Sequence, residues 1–343
     1  MATTHTNKEF LVSVCLVTYN QEQFIEKVIQ GALMQETSFP FEIVIGEDHS
    51  SDGTLKICED YQKQFPDKIR LLPSSINLGL KENFLRTFRA CKGKYIAYLE
   101  GDDYWITQDK LQKQVTILEK DQDVSLVHTN FKLWNVAKNQ ITDHVISFQG
   151  ICIREKNIGI DNIIAEFEGN FRGVKTSTCC YRKVLLESIL KEDEWAFRNE
   201  AFPTQDFQLF LEMSMKGKFY FIDEDTTMIG LHDSLSAAQD ETRRTKYSYG
   251  FYEIGIYYIK KYHLPAKTIQ IWVRRELHYF LNIGFKNKDR QLVDSVVEKA
   301  NSVNYALPFR QYLLYKGTHS SFFHGLIYPF WKFLKNRRNN YDL

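Results

Sequence analysis

The sequence has few of the features that mark fibrous, secreted or membrane-spanning chains. Its 343 residues include only 7 prolines and 17 glycines, and 43% are hydrophobic, which excludes collagen-like and disordered chains. Lysine and arginine (44) nearly balance aspartate and glutamate (43), so no global field attracts nucleic acid, and we expect no nucleic-acid partner. No apolar run approaches the ~18 residues that a spanning helix needs.

The cysteines are few and are not spaced for metal binding or for a disulfide framework. They lie at positions 15, 58, 91, 152, 179 and 180, mostly inside apolar runs. We interpret them as reduced, buried thiols. Residues 1–9 are polar and lack the apolar core of a secretory signal, so we expect a cytoplasmic protein.

Strand and helix patterns alternate over the first hundred residues. Apolar runs at 10–18, 41–46, 69–72 and 95–99 are typical of buried strands, and amphipathic stripes follow the first three. The first helix is predicted to begin at Asn20, with Gln23 completing a capping box. The pattern predicts an α/β fold with a Rossmann-like, mostly parallel sheet flanked by helices. Ligands are then expected at the carboxyl ends of the strands.

The later part of the chain is less regular and ends in helices. Strands are predicted at 124–133, 176–181 and 219–222, with helices at 109–120, at 184–190 and from Asp206 onward. Beyond about residue 240 only helical periods remain. We therefore predict a flexible N-terminus (1–9), a main domain (10–238, with halves 10–105 and 106–238) and a helical C-terminal region (239–343).

Three carboxylates follow the fourth predicted strand: Glu100, Asp102 and Asp103. Clustered like charges cost stability unless a cation or strong donors neutralise them. Magnesium and manganese prefer oxygen ligands and often share them with phosphates. The alternative is a solvated acidic turn.

The ends of the first two strands also have polar side chains. Asp48 is placed to accept a hydrogen bond from a base or ribose, and residues 52–54 suit the turn that starts a helix. Tyr19 can place its ring against a base, and Asn20 is predicted to cap the next helix.

Four linked motifs, at 12–20, 47–54, 77–79 and 100–103, occur in an order and spacing that resemble the family 2 glycosyltransferases. Members of that family are inverting enzymes of GT-A fold that use nucleotide-sugar donors. The resemblance covers roughly residues 10–235. It makes 10–105 the nucleotide-binding half of the domain and 106–238 the acceptor half.

The resemblance implies a role for each matching residue. Asp48 would read the nucleotide base, Thr18 and Tyr19 would line it, and Asp206 would be the catalytic base. The set assigned to the nucleotide-sugar is Thr18, Tyr19, Asn20, Glu47, Asp48, Asn77, Glu100 and Gly101. The set assigned to a divalent cation, manganese or magnesium, is Asp102, Asp103 and His232. For Asp206 the alternative is a helix N-cap, because aspartate is favoured there.

Four residues depart from the family pattern. Glu100 replaces the first aspartate of the family's DXD motif, and Gln205 replaces the glutamate that precedes the base. His49 stands where glycine is typical, and Glu212 stands where an arginine often follows the base. These departures concern donor identity and diphosphate contacts rather than the class of activity.

The resemblance implies transfer of a hexosyl or N-acetylhexosaminyl group from a UDP-sugar to a glycan or lipid-linked glycan acceptor, in surface polysaccharide synthesis. A catalytically inactive glycan- or nucleotide-binding protein of the same fold is the alternative, and the presence of Asp48, Asp102 and Asp206 together disfavours it. Nucleotidyltransferases and dehydrogenases need glycine-rich loops after the first strand, and residues 18–22 contain no glycine.

Residues 322–338 are aromatic and then basic. Such a segment can lie in a bilayer interface with its cations on anionic headgroups, which would put the protein at the inner face of the membrane. Packing against the domain is the alternative. Pro329 is expected to interrupt any single helix here.

Overall fold

A computed structural model of the chain describes residues 9–136, 138–142, 160–168, 174–231 and 240–339. The chain divides into two units, which we call the sheet unit (residues 1–163 and 170–239) and the helical unit (residues 164–169 and 240–343). Within the described ranges, no helix combines the length and the apolar character needed to cross a membrane.

The sheet unit contains all the strands of the described residues. They are β1 (Val12–Thr18), β2 (Phe41–Glu47), β3 (Ile69–Pro73), β4 (Tyr95–Glu100), β5 (Tyr104–Trp105), β6 (Val124–Asn135), β7 (Gln140–Thr142), β8 (Cys180–Arg182) and β9 (Lys218–Leu231). The helices between them are α1 (Ile25–Leu33), α2 (Thr54–Gln64), α3 (Leu80–Ala90), α4 (Lys110–Lys120), α5 (Ile160–Phe167), α6 (Lys183–Arg198) and α7 (Asp206–Lys216). The last residues of α5 belong to the helical unit.

The strands form one sheet in the order β3-β2-β1-β4-β8-β6-β9-β5, and β7 pairs with β6. Strands β1 to β4 are parallel, and β6 and β9 run the same way because β8 is antiparallel to both β4 and β6. The short strands β5, β7 and β8 run in the opposite direction. The predicted α/β class, with a mostly parallel sheet flanked by helices, is confirmed.

The central strands are buried on both faces, as their continuous apolar runs predict. Every residue of β1 and β2 is buried. On one face Val14 and Leu16 join a core that includes Val28 and Ile29 of α1. The buried strands therefore fix the positions of the polar residues that follow their carboxyl ends.

Two predicted strands differ from the structure. Residues 176–181 are not one strand, because Thr176–Thr178 form a 3-10 helix before β8. The Thr178 hydroxyl donates to the Lys175 carbonyl (2.7 Å), so this carbonyl is paired within the segment and not with a neighbouring strand. Strand β9 extends nine residues beyond the predicted end at Ile222 because it pairs with β6 through a bulge near Asp225.

The helical unit confirms the helical pattern predicted beyond residue 240. Its helices are α8 (Glu241–Lys261), α9 (Ala266–Asn287), α10 (Arg290–Asn301), α11 (Phe309–His319) and α12 (Ser321–Asn339). Helix α12 runs through Pro329. The expectation that this proline interrupts any single helix is wrong, because a proline removes one backbone donor and a helix can continue around it.

The cysteines that the structure describes are buried and form no disulfide, as predicted: Cys15, Cys58, Cys91, Cys179 and Cys180. Cys152 lies outside the described residues.

One lysine is fully buried in the sheet unit. The Lys110 ammonium donates to Gln114 Oε1 (2.8 Å) and lies 4.5 Å from the centroid of the Trp105 ring. Burial lowers the pKa of Lys110 from 10.5 to about 8. Folding therefore disfavours the charged form of this side chain.

Replacing Lys110 with methionine should change the free energy of unfolding more favourably near neutral pH than in alkali. The depressed pKa costs about 3 kcal/mol below pH 8, where Lys110 is charged in both states, and the cost disappears as pH rises through about 8 to 10.5. Urea unfolding of both proteins at pH 7 and pH 10 measures this difference. A stability difference that does not shrink with rising pH would contradict the assignment.

Candidate active site

Three parallel strands end side by side at one edge of the sheet. Thr18 of β1 lies opposite Glu47 of β2, and Val17 lies opposite Glu100 of β4. The backbone N–H of Asp48 donates to the Thr18 carbonyl (3.1 Å), so the chain following β2 stays beside β1. The structure thus brings the polar residues that follow these strands to the same edge.

Gly101 lies where the chain after β4 crosses closely over the end of β1. Its N–H donates to the Val17 carbonyl (3.0 Å). A Cβ atom at this position would lie 2.1 Å from Gln21 Oε1 and 2.6 Å from Thr18 Oγ1. A larger residue here would have to displace the Thr18 and Gln21 side chains, so glycine fits the close approach of these two segments.

The loop after β1 is tied to the loop after β2. Asn20 has a φ of +52°, and its side-chain oxygen accepts a hydrogen bond from the Ser51 N–H (2.8 Å). Helix α1 begins at Ile25 without a side-chain cap. The expectation that Asn20 caps this helix is therefore wrong: its oxygen joins the two loops.

Tyr19 is 46% exposed, so its ring is accessible.

The turn after β2 is shaped by a buried carboxylate. Glu47 accepts hydrogen bonds from the N–H groups of Ser50 (2.7 Å) and His49 (3.3 Å). His49 has a φ of +62°, a conformation that favours glycine. A glycine, which the resemblance implies at this position, would adopt this conformation more easily than histidine does.

Asp48 is buried and holds the loop that precedes α3. Its two carboxylate oxygens accept hydrogen bonds from the N–H groups of Leu78 (2.8 Å) and Gly79 (2.9 Å). The Asn77 side chain returns a bond to the Asp48 carbonyl (3.3 Å). Asp48 and Asn77 are therefore brought together, and the carboxylate fixes residues 77–79 beside the end of β2.

The carboxylates of Glu100, Asp102 and Asp103 form a group, which we call the acidic cluster. Each offers an oxygen, and these oxygens lie within 4.8 Å of one another. Glu100 accepts a hydrogen bond from the Thr176 hydroxyl (2.9 Å), and buried Asp103 accepts one from the Gly230 N–H (3.0 Å). Two members are thus held in place, and Asp102 is partly exposed.

Like charges and burial act together on the acidic cluster. Burial raises the pKa of the Glu100 carboxyl well above its ordinary range, and the other two members and Asp206 raise it further. Burial and the charge of Asp102 raise the pKa of Asp103 to about 7. A positive charge at this position would relieve both effects.

Asp206 is the first residue of α7, and it lies near enough to the acidic cluster for its charge to act on Glu100. Its Oδ1 accepts a hydrogen bond from the N–H of Phe207, the next residue (2.8 Å). The N-cap position itself belongs to Gln205, whose side chain donates to the Phe197 carbonyl (3.1 Å). Asp206 is thus at the helix start without being its N-cap.

The sequence predictions missed several residues of this edge. Thr176 holds Glu100, and Ser177 accepts a hydrogen bond from the Glu100 N–H (3.2 Å). Arg86 of α3 donates to the Glu47 carbonyl (2.6 Å). Burial lowers the pKa of Arg86, and the negative charge of Asp48 partly offsets this lowering. The three consecutive hydroxyl residues at 176–178 are the one sequence feature that could have indicated the contacts with Glu100.

His232, predicted as a metal ligand, lies outside the described residues. The described strand β9 ends one residue before it, at Leu231. Its role therefore stays a prediction.

Comparison with known proteins gives a family match. The profile of Glycosyl transferase family 2 matches residues 13–185, about half of the chain. Three mycobacterial proteins are 36% identical over 115 residues, which are 34% of this chain and 33% of theirs. The chain thus matches about a third of the length of these relatives.

One longer match is to WfgD of Escherichia coli, a UDP-Glc:alpha-D-GlcNAc-diphosphoundecaprenol beta-1,3-glucosyltransferase. It is 26% identical over 228 residues, 65% of this chain and 86% of WfgD.

Two solved structures are similar in fold. TarS 1-349 of S. aureus in complex with UDP-GlcNAc has a TM-score of 0.60 and 17% identity, over 92% of each chain. The mannosyltransferase PcManGT of Pyrobaculum calidifontis, in complex with GDP-Man and Mn2+, has a TM-score of 0.53 and 14% identity, over 90% of this chain and 79% of that one. At these identities the likeness shows the fold, which is of GT-A type.

Proposed function

Because the chain belongs to the family 2 glycosyltransferases, we propose that it transfers a sugar from a nucleoside-diphosphate sugar to a hydroxyl group of a glycan, with inversion at the anomeric carbon. The observation that carries the proposal is that Asp48, the acidic cluster and Asp206 lie in one region of the sheet unit, where β1, β2 and β4 end. A nucleotide-reading carboxylate, a cation site and a base are the parts that such a transfer needs.

The donor that we propose is a UDP-linked hexose or N-acetylhexosamine. WfgD is named for UDP-Glc, and the TarS structure contains UDP-GlcNAc. In this chain the exposed ring of Tyr19 is available to stack on a base, beside the Asp48 loop and the exposed Asn77. Glu47, Asn20 and Gly101 support that edge through the contacts that shape its loops.

The acidic cluster fits a divalent cation. Its three carboxylates supply hard oxygen donors within 4.8 Å of one another, which suits manganese or magnesium. Asp102 and Asp103 would hold the ion, with Glu100 fixed beside them by Thr176. A bound cation supplies charge stabilisation to the departing nucleoside diphosphate. PcManGT, whose fold is similar, is described with Mn2+.

Asp206 is proposed as the general base. The acceptor hydroxyl oxygen forms a bond to the anomeric carbon while the bond from that carbon to the diphosphate oxygen breaks. The hydroxyl proton passes to the Asp206 carboxylate, one oxygen of which is held by the Phe207 N–H. The hydrogen bond fixes the carboxylate and leaves its other oxygen for the proton.

We propose that the acceptor is a glycan or lipid-linked glycan of a surface polysaccharide. The support is the name of WfgD, whose acceptor is a sugar diphosphoundecaprenol. Asp206 lies in residues 106–238, the half proposed to bind the acceptor.

A screen of nucleotide-sugars tests the proposed function. The full chain is incubated with UDP- and GDP-sugars and manganese, with and without glycan acceptors, and release of nucleoside diphosphate is measured. We expect release from at least one UDP-sugar, and loss of release in EDTA. Nucleotide binding without release from any donor would instead favour the inactive binding protein.

Replacing Asp48 with asparagine should weaken UDP binding and also destabilise the fold slightly. Asparagine keeps one acceptor and turns its amide group toward the second backbone N–H, which costs about 1–3 kcal/mol. Calorimetry with UDP and urea unfolding measure the two effects. Asp52→Asn, in the same turn but exposed, is the matched control. Unchanged UDP affinity in Asp48→Asn would remove the base-reading role.

A further inference from the structure

Helix α12 has its apolar side chains on its outer face. Phe322, Leu326, Phe330 and Phe333 are 76%, 68%, 65% and 54% exposed. Their spacing of four, four and three residues places them along one side of the helix, and we call this set the α12 stripe. A helix on the surface of a globular protein usually buries such a stripe against the core. In α12 the stripe faces away from the helices that α12 packs on.

The orientation of α12 is fixed by the polar aromatic residues on its inner face. The His324 ring contacts the Phe285 carbonyl of α9 (Nε2 to O, 3.1 Å), and the Trp331 N–H donates to the Asn282 side chain (2.6 Å). The rings of His324, Tyr328 and Trp331 also pack around Phe285. Rotating the helix to bury the stripe would break these contacts, so the stripe stays outside.

The last two helices are also strongly cationic. Residues 309–339 include no aspartate or glutamate. The same stretch has six basic residues, although the whole chain has a net charge of only +1. These basic residues are Arg310, Lys316, Lys332, Lys335, Arg337 and Arg338. An exposed apolar stripe inside a stretch with only positive charges complements an anionic lipid surface.

We propose that the α12 stripe docks on an anionic lipid bilayer, with the helix lying in the interface. The phenylalanine and leucine side chains enter the boundary between headgroups and acyl chains, and the lysine and arginine side chains meet anionic headgroups. The helix lies on the bilayer, because none of the described helices is long and apolar enough to cross one. The α12 stripe lies entirely within the helical unit, so its docking does not depend on the proposed transfer.

Vesicle flotation with the full chain tests the docking surface. Vesicles of phosphatidylcholine alone are compared with vesicles containing about 30% phosphatidylglycerol, at about 0.1 M and about 1 M salt. We expect binding to the anionic vesicles at low salt, and weaker binding to neutral vesicles or at high salt.

The double change Phe322→Ser with Phe330→Ser should lower the partition coefficient about 100-fold, because two exposed apolar side chains no longer enter the lipid. The matched control, Ile141→Ser with Val184→Ser, removes two side chains of the sheet unit that are 55% and 63% exposed, and it should bind as the unchanged chain does. Circular dichroism of each variant verifies that it is folded.

Three results would overturn the proposal. The first is absence of binding to anionic vesicles, and the second is equal binding by the unchanged chain and the stripe variant. The third is sedimentation showing a dimer that the stripe variant dissociates, with no vesicle binding, because a second copy of the chain would then cover α12. Equal binding to neutral and anionic vesicles would overturn the role given to charge.

Discussion

Changing Asp206 to asparagine is expected to lower turnover by about 10²–10⁴-fold, because the reaction loses its proton acceptor. UDP affinity and melting temperature should stay close to those of the unchanged chain. Asparagine retains the side-chain oxygen that accepts the Phe207 N–H, so the start of α7 keeps its hydrogen bond. Turnover, UDP affinity and thermal stability are measured on the same variant.

The control for Asp206 is an aspartate that only caps a helix. Asp289 is the N-cap of α10 and accepts a hydrogen bond from the Leu292 N–H (2.9 Å). Asp289→Asn should leave turnover unchanged. If Asp206→Asn keeps near-normal turnover, another base is required. Glu212 is buried within α7, which leaves the exposed Glu200 as the better replacement.

Changing Asp102 to alanine is expected to abolish the gain in UDP affinity that manganese gives. Losing a residue that only hydrogen-bonds to a metal ligand lowers metal affinity about 10–100-fold. Losing a ligand itself should lower the affinity at least as much. Calorimetry with UDP in manganese and in EDTA measures the effect. The unchanged chain should bind UDP more tightly in manganese, and the variant should bind equally in both.

The control for Asp102 is Asp67→Ala, an exposed aspartate in the turn before β3. It should keep the full response to manganese. Equal UDP affinity of Asp102→Ala and the unchanged chain in manganese would exclude Asp102 as a metal ligand. Loss of affinity in EDTA as well would mean that Asp102 contacts the nucleotide itself.

The parts of the fold that could be predicted from sequence are those that local patterns determine. The bounds of β2 and β4 agree with the predicted strands within one residue, because each is a buried run that ends at a polar turn. The start of α7 at Asp206 was also predicted, because a helical apolar pattern follows it. Parallel strands then bring their carboxyl ends together, which places Thr18, Asp48 and Glu100 near one another.

The parts that could not be predicted depend on partners distant in sequence. Strand β9 is long because it pairs with β6, and the acidic residues near Asp225 resemble a turn when considered alone. The 3-10 helix at 176–178 could not be predicted from its own sequence, because the Thr176 hydroxyl donates to the Glu100 carboxylate, which is distant in sequence. Asn20 would cap a helix in isolation, but the Ser51 N–H takes its oxygen.

The double hydrogen bond of Asp48 has a consequence for engineering the donor preference of this chain. The carboxylate that is proposed to read the base also fixes residues 77–79, since both of its oxygens accept their N–H groups. A substitution there alters loop conformation and base recognition together, so a library varied at Asp48 would mix misfolded loops with changed specificity. The side chains of Tyr19 and Leu78 are exposed, so substitutions there should alter base recognition with less effect on the conformation of the loops. They are the positions at which variants selected for a different nucleotide should be sought.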